Sequence, residues 1–368
     1  MSRPRVFATC DIGPDALRRL RERGWELEVY GEVDPPPHGL VLERVRSGID
    51  ALITTLRDRI DEELLAAGAA AGLKVVAQDA VGFDNIDRAA ANRHRIPFTN
   101  TPDVLTDATA EFAFFILGCV ARKTFPSEQM VREHRWSTWH PFFPWLGDEV
   151  TGKTLSVIGT GRIGRALINK CVGFDMDVLC HNPTSQDHEF VAKVRRVMDL
   201  RHREGLARRL NTIEYVSLEE ALRGGDFVSL HVPLTLPGGS ANPTFHLIDA
   251  ERLALMKSTA FLINTSRGAI VDEQALTRAL LRGEIAGAAL DVFEKEPLPV
   301  GSPLRDPRLV LNLRLFHHFG SAASATRLSP DPEVGMAGRV VQAVIDVLEG
   351  AYGGDPTRMP FVVNKEAF

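Results

Sequence analysis

The sequence predicts an α/β protein built from two parallel β-sheets, each covered by helices. Short apolar segments alternate with helical segments between residues 5 and 77, and such alternation is typical of a parallel sheet. A second alternation begins at residue 154, after the first is complete. The length of 368 residues is also more than one ordinary domain needs and is sufficient for two.

The first lobe is expected to contain strands at residues 5–9, 25–30, 51–54 and 74–77, and a helix at 15–23. A long helix at 102–122 provides a natural crossover into a second lobe, and a helix at 333–349 would return the chain to the first. These limits predict one domain formed by residues 1–103 and 321–368, and another formed by residues 104–320.

A glycine-rich turn opens the second alternation. Residues 154–158 suit a buried strand, Gly159, Gly161 and Gly164 complete a G-x-G-x-x-G pattern, and a helical pattern follows at once. In a dinucleotide-binding unit these glycines permit a tight turn, close approach to a pyrophosphate and close packing of helix on strand. The first-turn amides, which include those of Arg162 and Ile163, would face the anion. An ordinary glycine turn is the alternative.

The strand expected at residues 176–182 ends in Asn182, where this fold usually has an acid that binds the adenosine ribose. An acid would repel a 2′-phosphate, whereas Asn182, Thr184 and Ser185 would not, so the site should tolerate NADP. No arginine adjoins Asn182, and Arg162 is a possible substitute. The alternative is an asparagine in an ordinary turn, with NAD bound through other contacts.

Composition narrows the partners and the compartment. A net charge of −5 and a pI of about 6.1 do not suggest a nucleic-acid partner. The longest apolar run, residues 112–121, is too short to span a bilayer, and no secretory signal is predicted. Four cysteines without metal-ligand spacing indicate free thiols in a reducing cytoplasm, and no metal site is predicted.

Two segments have no immediate place in this scheme. The first is an aromatic arm, defined as Trp136, Trp139, Phe142, Phe143 and Trp145 and broken by Pro141 and Pro144. It predicts either a dimer contact or packing on its own lobe. The second is an insertion of helical character at about 185–217, with seven Lys or Arg between residues 190 and 210. It could reach a 2′-phosphate or an acidic partner, or simply present a solvated face.

Three polar segments follow the remaining strands, which are expected at 226–232, 260–264, 286–291 and 309–315. The segments are residues 263–268, 290–297 and 316–322, and they offer Arg267, Glu296 and His318. Taken singly, each has an ordinary explanation: Arg267 could cap a helix, Glu296 could be a solvated acid, and His318 could be a structural histidine. Because open α/β sheets bind ligands at the carboxyl ends of their strands, we expect the three to converge on one nicotinamide site.

The chain resembles the D-isomer-specific 2-hydroxyacid dehydrogenases, and within them the glyoxylate/hydroxypyruvate reductases. The resemblance extends from about residue 51 to 350 and rests on the glycine motif, the three segments above, and residues 81–87, 100–106 and 231–235. It implies two Rossmann-like parallel-sheet domains, one flavodoxin-like and one dinucleotide-binding, with an active-site cleft between them. The implied reaction is NAD(P)H-dependent reduction of hydroxypyruvate or glyoxylate to the D-2-hydroxy acid.

The resemblance also implies roles for individual residues. Arg267 would bind the α-carboxylate and ketone oxygen of the substrate. His318 would be the general acid in reduction and the base in reverse, with Glu296 orienting its ring and favouring its protonated form. Backbone amides of Val81 and Gly82 would complete the carboxylate site.

For the cofactor, the resemblance places Asn264 and Asp291 near the nicotinamide. The remaining cofactor-binding residues that it implies are His231, Pro233, Thr265 and Gly320. Trp139 resembles a position that reaches the substrate site of the neighbouring subunit, which implies a homodimer.

Two other functions remain open at this point. Nucleotide-sensing corepressors share this architecture and retain the same three residues, so a regulator is one alternative. A D-2-hydroxyacid dehydrogenase for a larger 2-oxo acid is the other, although the small residues Ala80, Val81 and Gly82 favour a short substrate.

Overall fold

The computed structural model describes residues 3–143 and 145–368, so Pro144 of the aromatic arm lies outside the described residues. The chain forms two compact units, Met1–Leu105 with Ser321–Phe368, and Thr106–Gly320. The first crossing between units thus lies two residues later than the expected 103/104 boundary.

The first unit contains a five-stranded parallel sheet in the order β2-β1-β3-β4-β5. Its strands are β1 Arg5–Ala8, β2 Glu26–Val29, β3 Ala51–Thr54, β4 Val75–Gln78 and β5 Phe98–Thr99. The helices between them are α1 Pro14–Arg21, α2 His38–Arg46, α3 Glu62–Ala71 and α4 Arg88–Arg93. Every residue of β3 and β4 is buried, because apolar clusters cover both faces of the sheet.

The second unit contains a seven-stranded parallel sheet in the order β12-β11-β10-β9-β6-β7-β8. Its strands are β6 Thr154–Ile158, β7 Asp177–His181, β8 Ile213–Tyr215, β9 Phe227–Leu230, β10 Phe261–Asn264, β11 Gly287–Leu290 and β12 Leu313–Leu315. Its helices are α5 Thr106–Ala121, α6 Thr124–Arg132, α7 Arg162–Cys171, α8 His188–Arg203, α9 Leu218–Gly224, α10 Ala250–Leu253 and α11 Glu273–Arg282. The strand order reverses between β6 and β9, where ligands bind in such sheets.

Three expectations about elements need correction. The insertion is helical only in α8, since residues 213–215 form the edge strand β8, whose three residues give too short an apolar pattern to recognise. The strand expected at 309–315 begins only at Leu313, because Pro307–Leu309 forms a 3₁₀ turn. The helix expected from residue 102 begins at Thr106, after Asp103 with its positive φ of 71°.

The chain then returns to the first unit through α12 Ser324–Leu328 and α13 Met336–Leu348. Helix α13 supplies apolar side chains to the cluster that covers one face of the five-stranded sheet. Within the described residues, no helix combines the length and apolar character needed to cross a membrane.

The aromatic arm is largely exposed on a single chain. Trp136, Trp139 and Phe142 expose 60%, 77% and 79% of their surface, whereas Phe143 and Trp145 contact each other edge to face at 5.0 Å. Packing of the arm on its own unit therefore does not account for the first three side chains.

The basic side chains of the insertion are mostly engaged within the second unit. Arg195 donates to the carbonyl of Ile213, Arg201 pairs with Asp175 and Arg209 with Asp177, while Lys193 pairs with Glu189 one helical turn away. The exposed Arg196, Arg203 and Arg208 remain as a solvated face. Four of the seven cations thus already have partners inside the unit.

Candidate active site

The glycine turn after β6 has the shape that a pyrophosphate requires. Gly159 has a φ of +100°, and a Cβ there would lie 2.7 Å from the carbonyl carbon of His231. A methyl group at Gly164 would overlap the carbonyl oxygen of Gly159, so α7 packs directly on the turn. The space beside Gly161 is open, and Gly161, as the N-cap of α7, has no side chain to cap the first-turn amides, which include those of Arg162 and Ile163. These amides therefore fit an anionic group.

Asn182 holds together the turn after β7. Its Oδ1 accepts hydrogen bonds from the amide and hydroxyl of Thr184 at 3.1 and 3.0 Å, and from the amide of Ser185 at 3.3 Å. Its Nδ2 approaches the hydroxyl of Thr160 at 3.4 Å. This part of the turn therefore presents neutral groups, which is compatible with either ribose or a 2′-phosphate.

The segment after β9 contributes a neutral imidazole. Burial lowers the pKa of His231 to about 4, and its Nε2 lies 2.9 Å from the hydroxyl of Ser229. The carbonyl of Pro233 accepts a hydrogen bond from Thr244 at 2.6 Å, which fixes the continuation of this loop. The segment adds no charge to the cofactor end of the unit.

Asn264 shapes the turn that presents Arg267 at the end of β10. Its Nδ2 donates to the carbonyl of Arg267 at 2.8 Å, and its Oδ1 accepts from the amide of Ser266 at 3.1 Å. The hydroxyl of Thr265 is buried and has no hydrogen-bond partner among the described residues. A buried hydroxyl of this kind fits a polar group of a bound cofactor.

His318 and Glu296 form a pair, with Nδ1 of the ring 2.8 Å from Oε2 of the carboxylate. The other oxygen of Glu296 accepts from the amide of Phe293 at 3.0 Å. Burial opposes ionisation of Glu296, but the hydrogen bond and charge of His318, the Phe293 amide and the charge of Arg267 outweigh it. These interactions hold the pKa of Glu296 below its ordinary value. Arg267 and His318 therefore both lie within electrostatic reach of Glu296, in the second unit.

The backbone of His318 has a φ of +58°, which is uncommon outside glycine. Three bonds to Asp291 hold it there: the amide of His318 donates to the Asp291 carbonyl at 2.8 Å, and those of Phe319 and Gly320 donate to its carboxylate at 2.6 and 2.8 Å. Asp291 is 1% exposed, and burial raises its pKa although both amide bonds oppose the rise. Both carboxylate oxygens are thus committed to the loop that carries the histidine.

This role of Asp291 is one that sequence reasoning missed, since the resemblance placed the residue only near the nicotinamide. A usable signal was present, because an acid directly follows the wholly buried strand β11. A carboxylate in such a place needs donors. The backbone amides that supply them are invisible in a sequence.

In the first unit, the loop after β4 leaves two amides available. The carbonyls of Ala80, Val81 and Gly82 accept hydrogen bonds from Thr101 N at 2.9 Å, Asn100 Nδ2 at 2.8 Å and Gln78 Nε2 at 3.2 Å. Within the part of the chain that the structure describes, the amides of Val81 and Gly82 donate to no backbone carbonyl. A pair of such amides suits a carboxylate.

Comparison of the sequence with known proteins gives matches of two kinds. The family model described as "D-isomer specific 2-hydroxyacid dehydrogenase, NAD binding domain" matches residues 114–313. A glyoxylate reductase of Korarchaeum cryptofilum is 43% identical over 326 residues, which cover 88% of this chain and 89% of the relative.

Solved structures give the same result for the fold. The TT0316 protein of Thermus thermophilus has a TM-score of 0.78 and 39% identity, covering 94% of this chain and 97% of that one. An NADPH-dependent glyoxylate/hydroxypyruvate reductase of Sinorhizobium meliloti, solved with NADP and malonate, has a TM-score of 0.74 and 28% identity. That match covers 100% of this chain and 98% of the other. Both similarities extend over the two units.

Proposed function

The chain belongs to the D-isomer-specific 2-hydroxyacid dehydrogenase family, and on that premise we propose that it reduces a short 2-oxo acid with NAD(P)H. Glyoxylate and hydroxypyruvate are the substrates that we propose, and the product is the D-2-hydroxy acid. The observation that carries the proposal is the 2.8 Å pair of His318 and Glu296, with the charge of Arg267 acting on the same carboxylate.

A bound reduced nicotinamide supplies the hydride. Arg267 binds the carboxylate and ketone oxygen of the substrate and stabilises the negative charge that develops on that oxygen. His318 donates the proton that neutralises the oxygen. Its Nδ1 is occupied by Glu296, so Nε2 is the atom that transfers the proton.

Glu296 has two tasks in this scheme. Its Oε2 fixes the orientation of the imidazole, and its negative charge stabilises the protonated ring that reduction requires. The amides of Val81 and Gly82, which donate to no backbone carbonyl in the described structure, are further candidates for the substrate carboxylate. Asp291 keeps the backbone of His318 in place.

The groups at the cofactor end of the site are compatible with the binding of NADP as well as NAD. Among the residues of the turn after β7, Asn182, Thr184 and Ser185 present amide and hydroxyl groups, and Arg162 is exposed at the start of α7. We propose that the site accepts both cofactors. The neutral His231 and the buried Thr265 hydroxyl are proposed to contact the bound dinucleotide.

We also propose a homodimer formed through the aromatic arm, because Trp136, Trp139 and Phe142 are exposed apolar side chains on the single chain. In this assembly Trp139 is proposed to reach the substrate site of the second copy. A reducing cytoplasmic location is proposed in addition, in keeping with four free cysteines, two of which are buried.

The proposal is tested by initial rates with glyoxylate, hydroxypyruvate and pyruvate, each with NADH and with NADPH. We expect higher kcat/KM for the first two acids than for pyruvate. His318→Gln should lower kcat by roughly 100- to 10,000-fold, because general acid catalysis is worth about that much. The affinity for NADPH, measured by fluorescence titration, should stay within about threefold if the ring acts only in proton transfer.

His202→Gln is the matched control, because it removes an exposed imidazole on α8. Wild-type-like turnover of His318→Gln would remove that residue from the proposed role. Equal and negligible rates of the wild-type protein with all six combinations would instead favour the nucleotide-sensing regulator.

A further inference from the structure

The loop that carries Glu296 has no helix or strand of its own. Glu296 uses one carboxylate oxygen to accept from the Phe293 amide of the same loop at 3.0 Å and the other to meet His318 at 2.8 Å. The position of the carboxylate against the ring therefore depends on what holds the loop backbone.

Two contacts hold that backbone against neighbouring elements. A methyl group at Gly268 would overlap the carbonyl of Phe293, so the turn that follows Arg267 packs directly on the loop. Glu294 and Glu273 exchange hydrogen bonds, since the Glu294 amide donates to Glu273 Oε1 at 2.7 Å and the Glu273 amide donates to Glu294 Oε1 at 3.1 Å. The loop is thereby tied to the first turn of α11.

His246 closes this network from a third segment. Its Nε2 lies 3.1 Å from Glu294 Oε1, and its amide donates to the carbonyl of Ala269 at 2.8 Å. The imidazole stacks on Phe245 with a centroid separation of 4.0 Å, and the residue has a φ of +48°. One residue thus contacts both the Glu296 loop and the turn after Arg267.

The carboxylates of Glu273, Glu294 and Glu296 explain why a hydrogen-bond donor is needed beside Glu294. Burial raises the pKa of Glu273, and the charges of Glu294 and Glu296 raise it further, while its hydrogen bond from the Glu294 amide lowers it. Three carboxylates are therefore close enough to repel one another. An imidazole that donates to Glu294 offsets that repulsion.

We propose that His246 is a positioning residue for the reduction: through Glu294, it fixes the loop that holds Glu296 against the ring of His318. The proposal rests on the proposed function. It adds a residue that touches neither substrate nor cofactor, and whose removal loosens the acid–base pair while leaving the binding residues intact.

The test is His246→Phe, which keeps an aromatic ring to stack on Phe245 but cannot donate to Glu294. With glyoxylate and NADPH, we expect kcat to fall about tenfold, since small misplacements of catalytic groups cost up to about 100-fold. The KM for glyoxylate and the Kd for NADPH should stay within about twofold. The alkaline limb of the kcat profile should move to lower pH, because a displaced Glu296 stabilises the protonated ring less. The charged groups that face this pair are Arg267, Asp291 and Glu273.

Conservative variants separate positioning from general stability. His246→Gln retains a side-chain donor and should recover kcat to within about threefold of wild type. Glu294→Ala should reproduce the loss of kcat and the shift in the pH profile. Glu294→Gln should not, because it keeps an acceptor for the Glu273 amide.

A His246→Phe variant with wild-type kcat and pH profile, whatever its Tm, would overturn the proposal. So would a loss of kcat that His246→Gln does not recover. If His246→Phe fails to fold, the kcat and pH profile of Glu294→Ala test the proposal in the same way. Failure of the proposed function is distinguishable, because the wild-type protein would then not reduce glyoxylate at all.

Discussion

Asp291→Asn is the substitution that most directly tests how His318, the proposed acid–base residue, is held. In the protein, Asp291 accepts the amides of Phe319 and Gly320 through separate oxygens, and its carbonyl accepts the amide of His318. Asparagine keeps one acceptor, but its NH₂ group would oppose the other amide. The left-handed backbone of His318, with its φ of +58°, would lose part of its support.

The expected magnitude follows from those contacts. A hydrogen bond to a charged group contributes about 1.5–3 kcal/mol, and a non-glycine residue in the left-handed region costs about 1–3 kcal/mol. Loss of one bond is therefore comparable to the whole cost of the strained backbone, so alternative conformations of His318 become populated. Because about 1.4 kcal/mol corresponds to tenfold, we expect kcat to fall by about 10- to 100-fold.

The assay is the oxidation of NADPH by glyoxylate, with a separate titration of NADPH binding. If Asp291 positions His318, kcat falls while the Kd for NADPH changes little. If Asp291 instead contacts the nicotinamide, the Kd for NADPH should rise. Asp226→Asn is the control, because Asp226 also accepts a backbone amide, Thr154 N at 2.9 Å, where β6 begins at the other end of the sheet. An Asp291→Asn variant whose kcat stays within about twofold of wild type would refute the positioning argument.

The sequence predicts those parts of the fold whose residue patterns lie within a short stretch of the chain. The turn at Gly159 and Gly164 is determined by close backbone approach, and both positions have the contacts that the motif implies. The two-sheet architecture follows equally from apolar strands that are buried on both faces. The motif and the apolar runs lie within short stretches of the chain, so they can be recognised without knowledge of tertiary contacts such as that of Gly159 with His231.

Features that depend on tertiary contacts were not predictable in the same way. Strand β8 has three residues and pairs on one side only, so its pattern is too weak to detect. The sequence also left two placements open for the aromatic arm, and only the structure shows that Trp139 is exposed on the single chain. For the candidate site, motifs identified Arg267, Glu296 and His318, but not the partners that hold them.

The roles of Asp291 and His246 show why those partners are hidden. The carboxylate of Asp291 accepts backbone amides such as that of Gly320, 29 residues away, and the His246 ring contacts the side chain of Glu294, 48 residues away. Backbone groups are present at every residue, so no residue type marks them. Only the fold determines which amides converge on a given carboxylate.

Two further predictions concern the cofactor end and the first unit. Asn182→Asp keeps an acceptor for Thr184 and Ser185 but adds a negative charge beside a 2′-phosphate. The ratio of kcat/KM with NADPH to kcat/KM with NADH should therefore fall about tenfold, which corresponds to about 1.4 kcal/mol. An unchanged ratio would mean that the 2′-phosphate lies elsewhere. Asp79 has a buried Oδ1 without a hydrogen-bond partner among the described residues, and burial raises its pKa from 3.8 to about 7 against the opposing charge of Arg327. Because the folded state then binds a proton that the unfolded state has lost, the stability of the protein falls as pH rises from about 4 to about 7. Asp79→Asn removes that penalty, so its advantage in unfolding free energy should grow over this range to on the order of 2 kcal/mol and then stay level. Chemical denaturation of both proteins at about pH 5 and about pH 8 measures the difference, and an advantage equal at the two pH values would show that Asp79 does not retain its proton on folding.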